Sequence, residues 1–139
     1  MKNLLFFSVA LLFVGLNWQC ERITNTPDSQ QAVLGDTLLF TYGQTITLLP
    51  DNMEVRFDSV THDSRCPVEV DCVWAGMAVV KLWFQQDQVE QTGLLNTLDD
   101  PGSITVFGKT VRLIDVTPYP QSPDVVIPQA DYKIRIVVE

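Results

Sequence analysis

The chain has 139 residues, a formal net charge of −8, eight prolines and three cysteines. A chain of this length holds one domain with its own core, and its acidity excludes the basic patches that nucleic-acid binding requires. The same acidity opposes adhesion of the domain itself to anionic lipid headgroups and favours solubility.

Lys2 and the apolar run of residues 4–16, broken only by Ser8 and Gly15, read as an export signal over residues 1–19. The run is shorter than the about 20 apolar residues that span a bilayer. Cys20 follows it at the position of the lipidated cysteine of bacterial lipoproteins, although Asn17-Trp18-Gln19 are not the small residues usual there. Ordinary cleavage to a secreted chain and an uncleaved anchor with Trp18 at the membrane interface are the alternatives. Cysteine arithmetic favours lipidation. Cys66 and Cys72 are close enough to pair in an oxidising compartment, which leaves Cys20 over, and acylation accounts for it. The expected location is the periplasm or cell surface, with the membrane engaged through the lipid alone. Without residues 1–19 the chain keeps eight basic and 17 acidic side chains, a net charge of −9.

Residues 20–35 include the polar cluster Thr24-Asn25-Thr26-Pro27-Asp28-Ser29 and read as a flexible tether. A single domain over residues 36–139 follows. Strands are predicted over residues 37–42 and 45–49, joined through Gly43-Gln44 as a hairpin. Residues 53–58 alternate, with Met53, Val55 and Phe57 on one face. Residues 73–84 read as a central strand covered on both sides, because Val79, Val80, Trp83 and Phe84 favour a pleated surface. Asp99-Asp100-Pro101-Gly102 is a turn. Strands over residues 104–107 and 110–116 flank Gly108-Lys109. Pro118, Pro120, Pro123 and Pro128 mark an irregular connection, and the last strand puts Tyr132, Ile134, Ile136 and Val138 on one face. Seven or eight short strands without a convincing helix predict an all-β, antiparallel sandwich of Greek-key or immunoglobulin-like type, with a small open barrel as the alternative.

The chemistry-bearing residues concentrate around the cysteine pair. If Cys66 and Cys72 join, the short loop rigidifies a turn and delivers Val73-Trp74 to the core, with Trp74 over the bridge. Five intervening residues do not match the two of thioredoxin-like redox sites. His62 is the single histidine, so a zinc set of His62, Cys66, Cys72 and Asp63 matches no common spacing. Asp63, Glu69 and Asp71 offer oxygen ligands to calcium without the usual Asp-x-Asp-x-Asp-Gly pattern. A solvated acidic loop with Arg65 paired locally accounts for them. Asp58, His62 and Asp63 are the candidates for a metal-assisted hydrolytic site. No Gly-x-Ser-x-Gly elbow or phosphate loop is present, so catalysis lacks an obvious nucleophile. Trp83, Phe84, Tyr119 and Tyr132 are candidates for a sugar- or peptide-binding face. Core packing accounts for most of them, and Tyr119, between prolines, is the one expected to be exposed.

Asp63-Ser64-Arg65-Cys66-Pro67, followed by Val70-x-Cys72-Val73-Trp74-Ala75-Gly76, resembles a pattern in a family of small secreted proteins and lipoproteins of bacteria. The likeness extends to Gly43-Gln44 before a strand, to Leu113-x-x-Val116-x-Pro118-Tyr119-Pro120 and to Asp131-Tyr132 at the opening of the last strand. It covers roughly residues 37–139. The resemblance implies export and a single β-rich domain, and it carries no catalytic residues. The expectation is therefore a non-catalytic envelope module without a cofactor, binding an envelope protein or glycan through Arg65, Glu69, Asp71 and Tyr119. A metal-assisted hydrolase and a disulfide-loop protease inhibitor are the alternatives.

Overall fold

The computed structural model describes residues 30–99 and 102–139. The predicted export segment, Cys20, the tether up to residue 29 and Asp100-Pro101 lie outside the described residues. Nine strands run in chain order: β1 (Gln30–Val33), β2 (Thr37–Thr41), β3 (Thr45–Leu49), β4 (Met53–Asp63), β5 (Ala78–Gln86), β6 (Val89–Asn96), β7 (Ser103–Val106), β8 (Lys109–Thr117) and β9 (Lys133–Val138). They form one sheet ordered β1-β3-β4-β5-β6 and another ordered β2-β9-β8-β7. Neither sheet closes into a barrel, so the molecule is the expected all-β sandwich. Every pairing is antiparallel except β1 with β3, which is parallel.

The core is the sum of the inner faces. Met53, Val55 and Phe57 of β4, Val80, Leu82 and Phe84 of β5, Leu38 and Phe40 of β2, and Ile134, Ile136 and Val138 of β9 are all buried in one cluster. Alternation along β4, β5 and β9 puts these residues on one side, as a sandwich strand requires.

Three expectations are corrected. Residues 37–42 and 45–49 do not form a hairpin. β2 pairs with β9 and β3 with β1 and β4, so Gly43-Gln44 carries the chain from one sheet to the other. Leu38 and Phe40 enter the core from one side, and Ile46 and Leu48 from the other. The second correction concerns Gln30–Val33, within the predicted tether, which is a strand on the free edge of β3. β6, a further strand, has no alternation to announce it: most of its side chains are exposed and it is built by pairing with β5. Finally, the strand predicted over residues 73–84 begins only at Ala78, and Val73 and Trp74 lie outside the core.

Candidate functional site

Two bulges along the pairing of β4 with β5 decide which side chains reach its far end. After Phe57 opposite Leu82, Ser59 is opposite Lys81 and Val60 opposite Val80. The extra residue turns Val60 rather than Ser59 inward. A second extra residue then places His62 opposite Val79 and Asp63 opposite Ala78. Opposed residues share a face, so Asp63 joins the buried Ala78 on the inner side and His62 points out, exposed.

The turned-in Asp63 meets Arg65, which is only 6 % exposed. Arg65 donates from Nε to Asp63 Oδ1 (2.9 Å) and from Nη2 to Asp63 Oδ2 (2.6 Å). Its Nη1 donates to the Val116 carbonyl (2.5 Å), and Nη2 donates also to the Pro118 carbonyl (2.8 Å). Tyr132 donates its hydroxyl to Asp63 Oδ2 (2.9 Å). The Tyr119 ring lies against the guanidinium, 5.0 Å from ring centre to Cζ. A fork of five donors matched to a carboxylate and two carbonyls is a role that arginine fills and lysine does not. Among the described residues, no buried side-chain nitrogen or oxygen is left without a partner.

Burial pushes the Asp63 carboxyl up, but hydrogen bonds from Arg65 and Tyr132 and the guanidinium charge outweigh it and hold the group below its ordinary 3.8. Burial likewise opposes the charge on Arg65, and Asp63 reverses the effect, raising its pKa. Burial and the bond to Asp63 push the Tyr132 phenol up to about 12. The signs define two limbs of stability. Asp63 has its lowered value only when folded, so its contribution is complete above 3.8 and is lost as pH falls through the lowered value. Tyr132 is raised on folding, so its contribution is complete below 10.0 and is lost as pH rises through about 12. We expect Tyr132→Phe to lower stability at neutral pH by about 2 kcal/mol, the scale of a hydrogen bond to a charged group. It also flattens the alkaline limb, whereas Asp63→Asn flattens the acid one. Urea denaturation across pH measures both, and an alkaline limb unchanged in Tyr132→Phe would refute the assignment.

Beyond Asp63 the hairpin continues without regular strand. Ser64 N–H donates to the Met77 carbonyl (2.8 Å) and Cys66 N–H to the Ala75 carbonyl (3.0 Å). Gly76 passes so close to this stem that a Cβ there would stand 1.7 Å from the Ser64 carbonyl oxygen, and its φ is +66°. This passage explains why β5 begins late: the chain between Cys66 and Ala75 is a hairpin tip, closed at its neck by the Cys66–Cys72 disulfide. The tip leans on the proline-rich segment, where Val68 N–H donates to the Pro120 carbonyl and Glu69 N–H to the Gln121 carbonyl, each at 3.1 Å. The cysteine loop and the Tyr119 loop are therefore one surface at one end of the sandwich. Beside them a cleft of about 400 Å³ is lined by His62, Asp63, Arg65, Pro67, Tyr132 and the segment through Val125, Val126 and Ile127, among others.

The remaining predicted site residues can be placed on this frame. Glu69, Asp71 and Tyr119 are exposed on the joined surface, whereas Arg65 faces inward with its donors engaged by the chain itself. Asp58 lies on the outer side of β4, bonded to Arg56 (2.7 Å) and within 3.8 Å of Lys81. Asp58, His62 and Asp63 do not converge: among the described residues no group of three acidic, histidine or cysteine side chains is arranged to hold a metal ion. Trp83 and Phe84 do not form a common binding face. Phe84 is fully buried, and Trp83 is half-buried with Arg56 stacked 4.6 Å from its ring centre and its indole N–H donated to Glu90. Trp74 does not cover the disulfide in the core; it is 83 % exposed and Val73 90 %. Arg65 is paired with its near neighbour Asp63, but the pair is turned inward rather than solvated, and Tyr132 joins it from just ahead of β9. The sequence signal of this triad is an Asp-x-Arg pair ahead of the cysteine neck and a tyrosine opening the inner face of the last strand.

No protein-family model, curated protein or solved structure matches the chain.

Proposed function

We propose that the chain is an exported, non-catalytic binding module of the bacterial cell envelope, tethered to the membrane through a lipid on Cys20. In this role the acidic end of the sandwich engages an envelope protein or glycan. One observation carries the reading: the cysteine loop and the Tyr119 loop, far apart in sequence, are bonded into a single braced surface that presents Glu69, Asp71 and Tyr119 to solvent. Rigid scaffolds that display loops are the usual platform for recognition. Asp58 and Asp63 instead serve the structure, paired with Arg56 and Arg65. The likeness of the cysteine motif to bacterial lipoproteins supports the envelope setting.

Two measurements test it. The intact mass of the protein from its own membranes will show a diacyl or triacyl addition on Cys20 and an oxidised Cys66–Cys72 pair. An unmodified Cys20 in a soluble chain would remove the tether. Amine-reactive cross-linking in intact cells will give an adduct that the combined Glu69→Ala, Asp71→Ala and Tyr119→Ala variant loses. An adduct that survives this variant would show the binding surface to lie elsewhere.

A further inference from the structure

A single apolar side chain on a surface needs no explanation. The hairpin tip is different, because Val68, Val70, Val73 and Trp74 are all exposed within seven residues, the last two almost completely. These side chains stand on a loop fixed in three ways: by the disulfide, by the Cys66–Ala75 backbone bond, and by the bonds of Val68 and Glu69 to Pro120 and Gln121. A loop held this firmly loses little further freedom when a partner arrives. Glu69 and Asp71 are interleaved with the apolar residues, and no basic residue occurs between Arg65 and Lys81. Arg65 itself is matched by Asp63, so the two tip carboxylates are uncompensated by it.

We propose that the tip inserts Trp74 and Val73 into an apolar pocket of an envelope protein whose rim carries lysine or arginine opposite Glu69 and Asp71. This inference rests on the binding-module reading and narrows its partner from protein or glycan to protein. The protruding tryptophan and valine call for a concave apolar partner, and a buried aromatic anchor ringed by polar contacts is the common arrangement of interface hot spots. The two carboxylates select a basic rim by charge complementarity. They also argue against a bilayer, where they would be driven against anionic headgroups. A second copy of this chain, itself at −8, is electrostatically the wrong partner.

The test places p-benzoylphenylalanine at position 74 of the full chain in its own cells, with positions 39 and 94 as controls, since Leu39 and Leu94 are exposed on the outer faces of the two sheets. Light is expected to give one protein adduct from position 74 and none from the controls. The cross-linked protein, identified by mass and purified, binds the parent chain. Trp74→Ala weakens that binding about 30-fold or more, and Glu69→Lys with Asp71→Lys weakens it by about tenfold, with affinity falling as salt rises. All three residues are exposed, so the variants keep the parent Tm. A partner indifferent to Trp74→Ala or to the charge reversal overturns the proposal. So does a lipid adduct, or a blue shift of emission on phosphatidylcholine or phosphatidylglycerol vesicles that Trp74→Phe abolishes. An adduct from a control position alone overturns the tip as the site and leaves the binding-module reading standing; no adduct from any position overturns both.

Discussion

Replacing Arg65 with methionine will lower the stability of the domain by about 3–5 kcal/mol, the loss expected when one member of a buried ion pair is removed. Methionine keeps much of the stem and none of the donors. Asp63 then retains only the Tyr132 hydroxyl and the backbone N–H of residue 65, and the carbonyls of Val116 and Pro118 lose their side-chain partner. Arg65→Lys will recover little, because one ammonium cannot span the carboxylate and two carbonyls at once. Removing the carboxylate as well, in Arg65→Met with Asp63→Leu, will restore at least half of the loss, since no uncompensated charge stays behind. Thermal denaturation reads the series: the single variant is expected to melt about 15 °C or more below the parent. A double variant no more stable than the single one would show that Arg65 acts through its carbonyl bonds and not through Asp63.

The second large effect is expected at Gly76. Its positive φ disfavours any side chain, and the atoms that a Cβ would meet are backbone: the Ser64 carbonyl oxygen at 1.7 Å and its carbon at 2.5 Å. Neither can rotate aside. Gly76→Ala must therefore open the stem that joins Ser64 to Met77 and Cys66 to Ala75, and the displaced strand carries Arg65 with it. A loss above about 3 kcal/mol follows from backbone strain combined with a broken buried network. The amides of Ser64 and Cys66 will exchange faster than in the parent. Gly43→Ala is the control: φ is +74° there too, but nothing lies within 4 Å of the added carbon, so only the conformational penalty of about 1–2 kcal/mol applies. If both alanine variants lost the same amount, close packing at Gly76 would play no part.

How far these features can be read from the chain differs from residue to residue. The inner faces of β4 and β9 were legible because Met53, Val55, Phe57 and Ile134, Ile136, Val138 repeat with the period of a strand. Alternation names a face but not a sheet. Leu38 and Phe40 therefore looked paired with Ile46 and Leu48 across a short turn, when they oppose them across the core. Bulges are equally silent. A two-residue repeat gives no warning that Thr61 will be passed over, and that single step decides whether His62 or Asp63 is buried. Trp74 misled for a related reason: an apolar run ending in a strand reads as core, and the turn at Gly76 that throws Trp74 outward depends on a close approach between residues twelve apart. The disulfide and the exposure of Tyr119 were legible from local chemistry alone, whereas the contact between their loops required the fold.

The order of strands in the second sheet has a consequence for how the molecule comes into being. β9 is not an edge; it lies between β2 and β8, with Thr37 opposite Val137 and Val111 opposite Val138. A chain emerging from a ribosome or a translocation pore N-terminus first can complete β3 to β6 early, since β4, β5 and β6 each pair with the strand before. β2 has no partner until residues 133–138 are free, and Leu38 and Phe40 stay uncovered for nearly the whole passage. Pairings this distant in sequence are slow to form and leave apolar surface open to aggregation meanwhile. The domain is closed by its last strand, and until that strand arrives the inner face of β2 has nothing to pack against.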